Sequence, residues 1–335
     1  MDQERRVLLA HGGGGHLSRE LIEREILPRF SNEILNALPD TAALTVPGTH
    51  ILFTTDSFVV QPLFFPGGCI GDLAVHGTVN DLAVSGGRPL FLTLALILEE
   101  GLPWSTLRQV LEAVRRATTA CGVSVVTGDT KVVRRGQCDG LYLNVSGLGM
   151  AWPGFQLSAR SIRPGDAVLV SGTLGNHGMA VLVAREKLFL ETALVSDSAP
   201  VHRLVEAMLP WTAEVRFMRD PTRGGASPPC CTRPPWAAVL PLRSRPCPWT
   251  PAAAAVAEML GISLLHSPCE GRIMAVVAPE VTQAVLAAWR ALPEGQGACR
   301  IGQAIAPVGR VSLHTTLGGH TLIDRPQGEM LPRIC

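Results

Sequence analysis

Strand-like and helix-like segments alternate along this chain, and the alternation restricts the fold to the mixed α/β or α+β class. Residues 49–60 are rich in β-branched and aromatic residues, which favour a strand. Residues 105–121 repeat apolar residues at helical spacing, with Ser105 as a candidate N-cap. Short strands are predicted at 123–128 and 141–149. The first part of the chain is therefore predicted to be a sheet with helices.

A Pro- and Gly-containing break near residues 152–165 interrupts this pattern, and a second strand–loop–helix series follows it. The length of 335 residues suits two domains, since roughly 150 residues is typical of one. We therefore expect an N-terminal domain over 1–155 and a C-terminal α/β domain over 156–323. Residues 324–335 have no periodicity and are predicted to form a flexible tail.

Composition excludes several classes of protein. Apolar residues make up 47% and charged residues 17% of the chain, which argues against disorder. Lys and Arg number 29 and Asp and Glu 28, a net charge of +1, which argues against binding nucleic acid or an anionic membrane through bulk charge. The longest apolar stretch is too short to span a bilayer, and no secretion signal is recognisable. We expect a cytoplasmic protein with no nucleic-acid or membrane partner.

Residues 226–251 differ in composition from the rest of the chain. They hold eight of the 26 prolines and three of the nine cysteines, and they contain no Asp or Glu. Prolines at this density oppose both a helix and a central strand. The segment is either a native Pro-rich loop or the result of two compensating frameshifts, and the ordinary sequence on both sides favours the frameshifts.

Four consecutive glycines near the start of the chain, Gly12, Gly13, Gly14 and Gly15, could wrap an anion with their backbone N–H groups. A helix predicted from about Ser18 would add its positive N-terminus. The pattern matches neither a Walker A loop nor the dinucleotide fingerprint. A flexible loop without a ligand is the alternative.

Three aspartates, Asp56, Asp81 and Asp129, stand at the ends of strand-like runs and beside small residues. Each could be a turn or cap residue, but together they suit Mg²⁺, which prefers oxygen ligands and bridges phosphates. Lys131 is one of only two lysines among 29 basic residues. A compact ammonium near a phosphate or a reacting oxygen would explain that choice.

The last residue, Cys335, places a thiol on the predicted tail. Such a thiol can be modified by a partner or enter an active site as a tethered substrate. An incidental terminal cysteine is the alternative. Two Gly-containing turns, at 170–181 and 219–225, are further candidates for a site, although each could be ordinary turn chemistry.

Several of these segments, in order along nearly the whole chain, resemble the HypE family of hydrogenase maturation factors, which is related to aminoimidazole ribonucleotide (AIR) synthetase and selenophosphate synthetase. The terminal PRIC separates the family from those relatives. The matching segments are AHGGGG, FTTDSFVVQPLFFPGG, LAVHGTVNDLAVSGG, ILEEGLP, VTGDTKVV, GDAVLVSGTLGNHGMAV, RDPTRGG and LPRIC.

The resemblance implies a two-domain AIR-synthetase-like fold whose N-terminal sheet domain forms a homodimer, with ATP and Mg²⁺ near the dimer interface. It implies that a HypF-type carbamoyltransferase carbamoylates Cys335. ATP-dependent dehydration would then yield a thiocyanate, and the cyano group would pass to iron on a HypC–HypD complex for NiFe-hydrogenase. The alternatives are a small-molecule phosphotransferase of the same superfamily, which needs no terminal thiol, and a non-catalytic docking protein.

The resemblance also assigns residues. Asp56, Asp81 and Asp129 match Mg–ATP carboxylates, Asn80 and Thr130 would support them, and the loop Gly12–Gly15 would close over the phosphates. Lys131 would stabilise developing charge, Glu270 would be the base, and Cys335 would carry the substrate. The sequence departs from the family pattern at Cys69, where Asp or Asn is expected, at Cys269, where Asn is expected, and throughout 226–251.

Overall fold

A computed structural model defines the fold. It describes residues 16–21, 23, 36, 42–46, 49–187, 193–222, 237–241, 249–305, 311–314, 320–322, 331 and 334–335.

The first half of the chain forms a five-stranded sheet in the order β1-β2-β7-β5-β6, with a two-stranded ribbon of β3 and β4 beside it. β5 and β6 are parallel, and the other neighbours in the large sheet are antiparallel. The elements are α1 (His16–Leu21), β1 (Ala42–Val46), β2 (Thr49–Phe58), β3 (Phe64–Phe65), β4 (Gly68–Cys69), α2 (Ile70–Val84), β5 (Gly87–Glu99), α3 (Trp104–Cys121), β6 (Ser124–Val133) and β7 (Leu141–Ala151).

Helix α2 is almost entirely buried and covers one face of this sheet. We call the opposite side the open face; it exposes Phe53, Phe91 and Ile97 to solvent. Cys69 is the N-cap of α2, and its Sγ accepts a hydrogen bond from the Gly71 N–H at 3.3 Å. The thiol thus caps the helix as the Asp or Asn expected at this position would, because either side chain would accept a hydrogen bond from the same backbone N–H.

Helix α3 begins one residue earlier than predicted. Its N-cap is Pro103, which makes no side-chain cap hydrogen bond, so the expectation that Ser105 caps the helix is wrong. The structure places Ser105 inside the first turn. Trp104 and Ser105 thus belong to the helix, because Pro103 already has the extended backbone of a residue that precedes one.

A β-bulge interrupts the ladder between β5 and β6. Leu92 pairs with Val125, but the next residue, Thr93, pairs with Thr127, so Val126 is the extra residue. A shift of one residue moves every later side chain of a strand to the other face. The bulge therefore decides the face on which the second half of β6 presents its side chains.

The second half of the chain forms a seven-stranded sheet in the order β14-β13-β10-β12-β8-β11-β9. Its pairs are antiparallel except for β10 and β13. The elements are β8 (Ala167–Val170), α4 (Asn176–Arg185), α5 (His202–Glu206), β9 (Val215–Arg219), β10 (Ala237–Pro241), α6 (Pro251–Leu260), β11 (Met274–Val277), α7 (Thr282–Arg290), β12 (Cys299–Ile305), β13 (Val311–His314) and β14 (His320–Leu322).

The expectation that residues 226–251 contribute no interior strand or helix is wrong for two parts of the segment. β10 lies between β12 and β13 within the sheet. The prolines of the segment do not prevent this strand, because β10 contains only Pro241, which is its last residue. Pro251 occupies the first turn of α6, where a missing N–H costs nothing, and Thr250 caps that helix. The frameshift origin of the segment stays a prediction.

The hydrophobic core joins the two halves of the molecule. One cluster contains residues of α2, α3 and β7 together with residues of α4 and α6, and the chain terminus contributes Leu331 and Ile334 to it. No helix in the described part of the chain combines the length and apolarity that crossing a membrane requires.

Candidate active site

Glu270 lies in the turn before β11, and its side chain is only 2% exposed. Its backbone N–H donates to Asp197 Oδ1 at 3.0 Å. The other oxygen of that carboxylate, Oδ2, is 3.8 Å from Nε of Arg272. The predicted base is thus held by its backbone in the interior, with its carboxylate excluded from water.

Gly271 is required for this arrangement. A Cβ at this position would overlap the carbonyl oxygen of Asp197 and lie 2.6 Å from the backbone N of Ala199. Two backbones can approach this closely only where one of them has no side chain. The glycine after Glu270 therefore brings the Glu270 turn against the segment 193–200.

Asn80, near the end of α2, joins the two halves of the molecule. Its Nδ2 donates to the carbonyls of Ala199 at 3.0 Å and Glu270 at 3.2 Å, and its Oδ1 accepts from the Val201 N–H at 2.8 Å. We predicted that Asn80 supports the nucleotide. In the structure its amide makes three hydrogen bonds to backbone groups, and these position Glu270; the nucleotide role of Asn80 stays a prediction.

The end of the tail lies against α4. Ile334 is buried, and its carbonyl oxygen is 2.9 Å from Nε2 of His177. A carboxyl-terminal oxygen of Cys335 accepts from the Val59 N–H at 3.4 Å. The described residues of the predicted flexible tail are therefore docked, and the Cys335 side chain is half-buried against the core.

Two of the predicted carboxylates share the side of the first sheet that faces α2. Asp56 pairs with Val145 of β7, whose buried side chain marks that side. Asp81, on α2, accepts a hydrogen bond from Thr54 Oγ1 at 3.0 Å. Thr54 and Asp56 are two residues apart in β2 and therefore point to the same face. The structure thus brings Asp56 and Asp81 to one side of the sheet.

The third carboxylate lies on the other side. Asp129 pairs with Ala95 and Lys131 pairs with Ile97, whose side chains are on the open face, whereas Thr130 points to the α2 side. The bulge in β6 reverses its later side chains, so Asp129 lies on the opposite side of the sheet from Asp56 and Asp81 within one chain, and the shared metal role of the three aspartates stays a prediction. In the described residues, no three His, Cys, Asp or Glu side chains are close enough to hold a metal ion.

The first nine residues of β6 are all exposed, and they include Asp129, Thr130 and Lys131. The four glycines Gly12, Gly13, Gly14 and Gly15 lie outside the described residues. The predicted phosphate loop stays a prediction.

Cys269, which stands where Asn is expected, makes two polar contacts through its thiol. Its Sγ accepts from the Gly175 N–H at 3.0 Å and donates to the Ser267 carbonyl at 3.7 Å. An Asn amide offers the same combination of acceptor and donor. Burial raises the pKa of the Cys269 thiol well above its usual value, which favours the neutral thiol that makes both contacts.

Sequence reasoning missed His177, Ser196 and Asp197. His177 lies within the Gly-containing turn at 170–181, and the GNHG motif after a buried strand is the local signal that indicates it. Ser196 and Asp197 gave no local signal, because they act through partners distant in sequence.

Comparison with known proteins agrees with this architecture. Residues 39–151 match the N-terminal domain of AIR synthase related proteins, and residues 163–314 match the C-terminal domain. The chain is 44% identical over 333 residues to the carbamoyl dehydratase HypE of Rhizobium leguminosarum bv. viciae, with 98% of this chain and 95% of that protein covered. The chain belongs to the HypE family.

Solved structures of HypE proteins have the same fold. A HypE–HypF complex contains a chain that is 38% identical, with a TM-score of 0.85 and coverage of 91% of this chain and 99% of that one. A HypE structure in complex with ATP is also 38% identical, with a TM-score of 0.80 and coverage of 98% and 100%. The predicted family and the predicted two-domain α/β fold are confirmed.

Proposed function

We propose that this HypE-family chain matures NiFe-hydrogenase by dehydrating a carbamoyl group on its own Cys335 to a thiocyanate, with ATP. The observation that carries the proposal is the docked tail. His177 and Val59 hold the backbone of the last two residues, and the chain terminus packs in the core that joins the two domains. A carbamoyl group attached to this tail is therefore brought to the junction of the two domains by the tail itself, without free diffusion through solvent.

The reaction removes one oxygen and two nitrogen-bound protons from the S-carboxamide and leaves a carbon–nitrogen triple bond. The carboxamide oxygen is a poor leaving group, and ATP supplies the phosphoryl group that makes it a good one. The protein must position the carboxamide, exclude water and accept protons from nitrogen.

Glu270 is the proposed base. Its Oε2 is 3.9 Å from the position of a Cβ on Gly77, and the Phe58 ring is 3.0 Å from the same point. Val59, which holds the Cys335 carboxylate, follows Phe58 directly. The proposed base and the tail thus border the same junction of α2 with the end of β2. A buried carboxylate with a fixed backbone suits proton abstraction from a group delivered there.

Nucleotide binding would use the carboxylates. Asp56 and Asp81 present half-buried carboxylates on one side of the sheet, and carboxylate oxygens are ligands that suit Mg²⁺. Thr130 points to the same side, and the loop Gly12–Gly15 would contribute backbone N–H groups to the phosphates. The solved HypE structure in complex with ATP supports ATP as the nucleotide for this chain.

A homodimer would complete the site. The open face exposes Phe53, Phe91 and Ile97, and an exposed apolar face favours association with another chain. Contact between two open faces would bring Asp129 and Lys131 to the interface. Lys131 would there stabilise charge developing on the reacting oxygen or phosphate.

The remaining proposals concern organisation and partners. The matched family domains end at 151 and begin at 163, which supports a boundary near 155 between domains 1–155 and 156–323, followed by the tail 324–335. The solved HypE–HypF complex supports a HypF-type carbamoyltransferase as a partner. Transfer of the cyano group to a HypC–HypD complex and a cytoplasmic location follow from the same proposal.

Mass spectrometry of the tail peptide tests the function. The full chain is incubated with a HypF-type carbamoyl donor system, and the tail is analysed before and after ATP is added. The wild-type tail gains the carbamoyl mass and then loses the mass of water. Cys335→Ala gains neither mass but still binds ATP, because the thiol is the substrate carrier and not a nucleotide ligand.

Glu270→Gln tests the base, with the exposed Glu280→Gln as a matched control. We expect carbamoylation at the wild-type rate and dehydration slowed by at least about a hundredfold, whereas the control dehydrates normally. ATP consumption that does not depend on Cys335 or its carbamoylation would instead indicate a small-molecule phosphotransferase.

A further inference from the structure

His177 lies in α4, is fully buried, and contacts the chain terminus directly. Its Nε2 is 2.9 Å from the carbonyl oxygen of Ile334. A carbonyl oxygen can only accept, so Nε2 carries the hydrogen. The residue that accepts this hydrogen bond is the one immediately before the reactive Cys335.

The other ring nitrogen has its own partner. Nδ1 is 2.7 Å from Ser196 Oγ, and that oxygen also accepts from the Ser198 N–H at 3.0 Å. With Nε2 protonated, Nδ1 accepts the hydroxyl hydrogen of Ser196. Burial lowers the pKa of His177, which favours the neutral ring. The Phe65 ring meets it edge-on at 5.3 Å, so the orientation of the ring and its tautomer are both set.

Apolar burial alone would not place the thiol. Leu331 and Ile334 are buried in the core, but hydrophobic burial is non-directional and tolerates a shift along the chain. A hydrogen bond to one backbone carbonyl is directional. The contact from His177 to Ile334 therefore sets the register of the tail and hence the depth at which Cys335 lies.

We propose that His177 is a positioning residue that holds the tail in its reactive register through the Ile334 carbonyl, with Ser196 selecting the required tautomer. This inference rests on the proposed function, because a tethered substrate must alternate between a docked position and one open to partner proteins. A single hydrogen bond between neutral groups stabilises the docked position only modestly, so the binding of a partner protein can shift the tail to the open position.

Three variants of the full chain separate this role from simple filling of space. His177→Phe keeps the aromatic ring against Phe65 but removes the donor. His177→Gln keeps an N–H donor of similar reach. Ser196→Ala leaves His177 in place and removes the group that selects its tautomer. Thermal unfolding of each variant reports whether the fold is retained.

Docking is measured as the rate at which iodoacetamide alkylates Cys335, followed on the tail peptide by mass spectrometry. This measurement needs neither ATP nor a partner. We expect alkylation about tenfold faster in His177→Phe, near the wild-type rate in His177→Gln and intermediate in Ser196→Ala. Dehydration of the carbamoylated tail should slow about tenfold in His177→Phe, with the KM for ATP unchanged and with rescue in His177→Gln.

Equal alkylation of Cys335 in wild type and a folded His177→Phe would overturn the proposal, as would a His177→Gln chain as defective as His177→Phe. If His177→Phe does not fold, Ser196→Ala decides, and a wild-type alkylation rate there overturns the proposal. A wild-type chain that never forms the dehydrated tail contradicts the proposed function instead, and the alkylation rates still decide the role of His177.

Discussion

Asn80 Nδ2 donates a hydrogen bond to the carbonyl oxygen of Glu270 at 3.2 Å, although the two residues are 190 positions apart in the chain. Asn80 belongs to the helix that covers the first sheet, and Glu270 precedes a strand of the second. The proposed base is therefore held jointly by both domains. Changes in packing between the domains should therefore alter the position of Glu270 through this hydrogen bond.

Gly271→Ala should destabilise the protein and slow dehydration. The new Cβ would overlap the Asp197 carbonyl, and forced overpacking of this kind costs roughly 1–3 kcal/mol. Urea unfolding and the rate of tail dehydration are the measurements. Gly297→Ala is the matched control, because its Cβ would be 3.4 Å from the nearest atom. Equal stability of the two variants would contradict the close approach at Gly271.

Asp129→Asn should weaken binding of Mg–ATP by at least about tenfold and binding of metal-free ATP much less, because loss of a carboxylate charge affects the metal complex most. Calorimetric titration with and without Mg²⁺ measures both. Asp139→Asn, another exposed aspartate, serves as the control. Equal losses with and without metal would mean that Asp129 has no metal role.

Stability should fall as the pH is lowered from about 6.5 to about 4, in part because of His76. Burial lowers the pKa of His76 from 6.5 to about 4, with Asp72 opposing and His202 adding to the shift. Above pH 6.5 the ring is neutral in both states; below it the unfolded chain binds the proton first, which favours unfolding. Between pH 6.5 and pH 4, this titration lowers the free energy of unfolding by on the order of 3 kcal/mol.

His76→Asn removes this titration while retaining an acceptor near the Ser198 hydroxyl, which lies 3.0 Å from His76 Nδ1. The free energy of unfolding, measured by urea denaturation at several pH values, should therefore depend less on pH in the variant. Parallel pH profiles for variant and wild type would show that His76 does not titrate as proposed.

Val239→Pro should destabilise the protein by roughly 1–3 kcal/mol, because proline cannot donate to the strand ladder. Val239 pairs with Gln303 on one side and Ser312 on the other. Val239→Thr keeps the N–H and the β-branched shape, and it should retain most of the stability. Thermal unfolding compares the two; a proline variant as stable as the threonine variant would show that β10 is not an interior strand.

Much of the fold was predictable because its signals are local. Alternating strand and helix segments, the Pro- and Gly-rich break and the motifs around Asp56, Asp81 and Asp129 were sufficient for the two-domain fold and the family. The prediction was wrong where the positions of the prolines mattered more than their number. In 226–251 the proline count suggested no regular structure, but β10 occupies the stretch whose only proline is at its end.

The sequence by itself determined the residue types of the proposed site: three aspartates, a lysine, a glutamate and a cysteine thiol at the end of the chain. Only the tertiary structure decided how they are arranged. One extra residue at Val126 turns Asp129 and Lys131 away from Asp56, because side chains alternate with a period of two along a strand. The contacts of Asn80 with Glu270 and of His177 with Ile334 join residues more than 150 positions apart, and no local pattern encodes a hydrogen bond that forms only when the whole chain has folded.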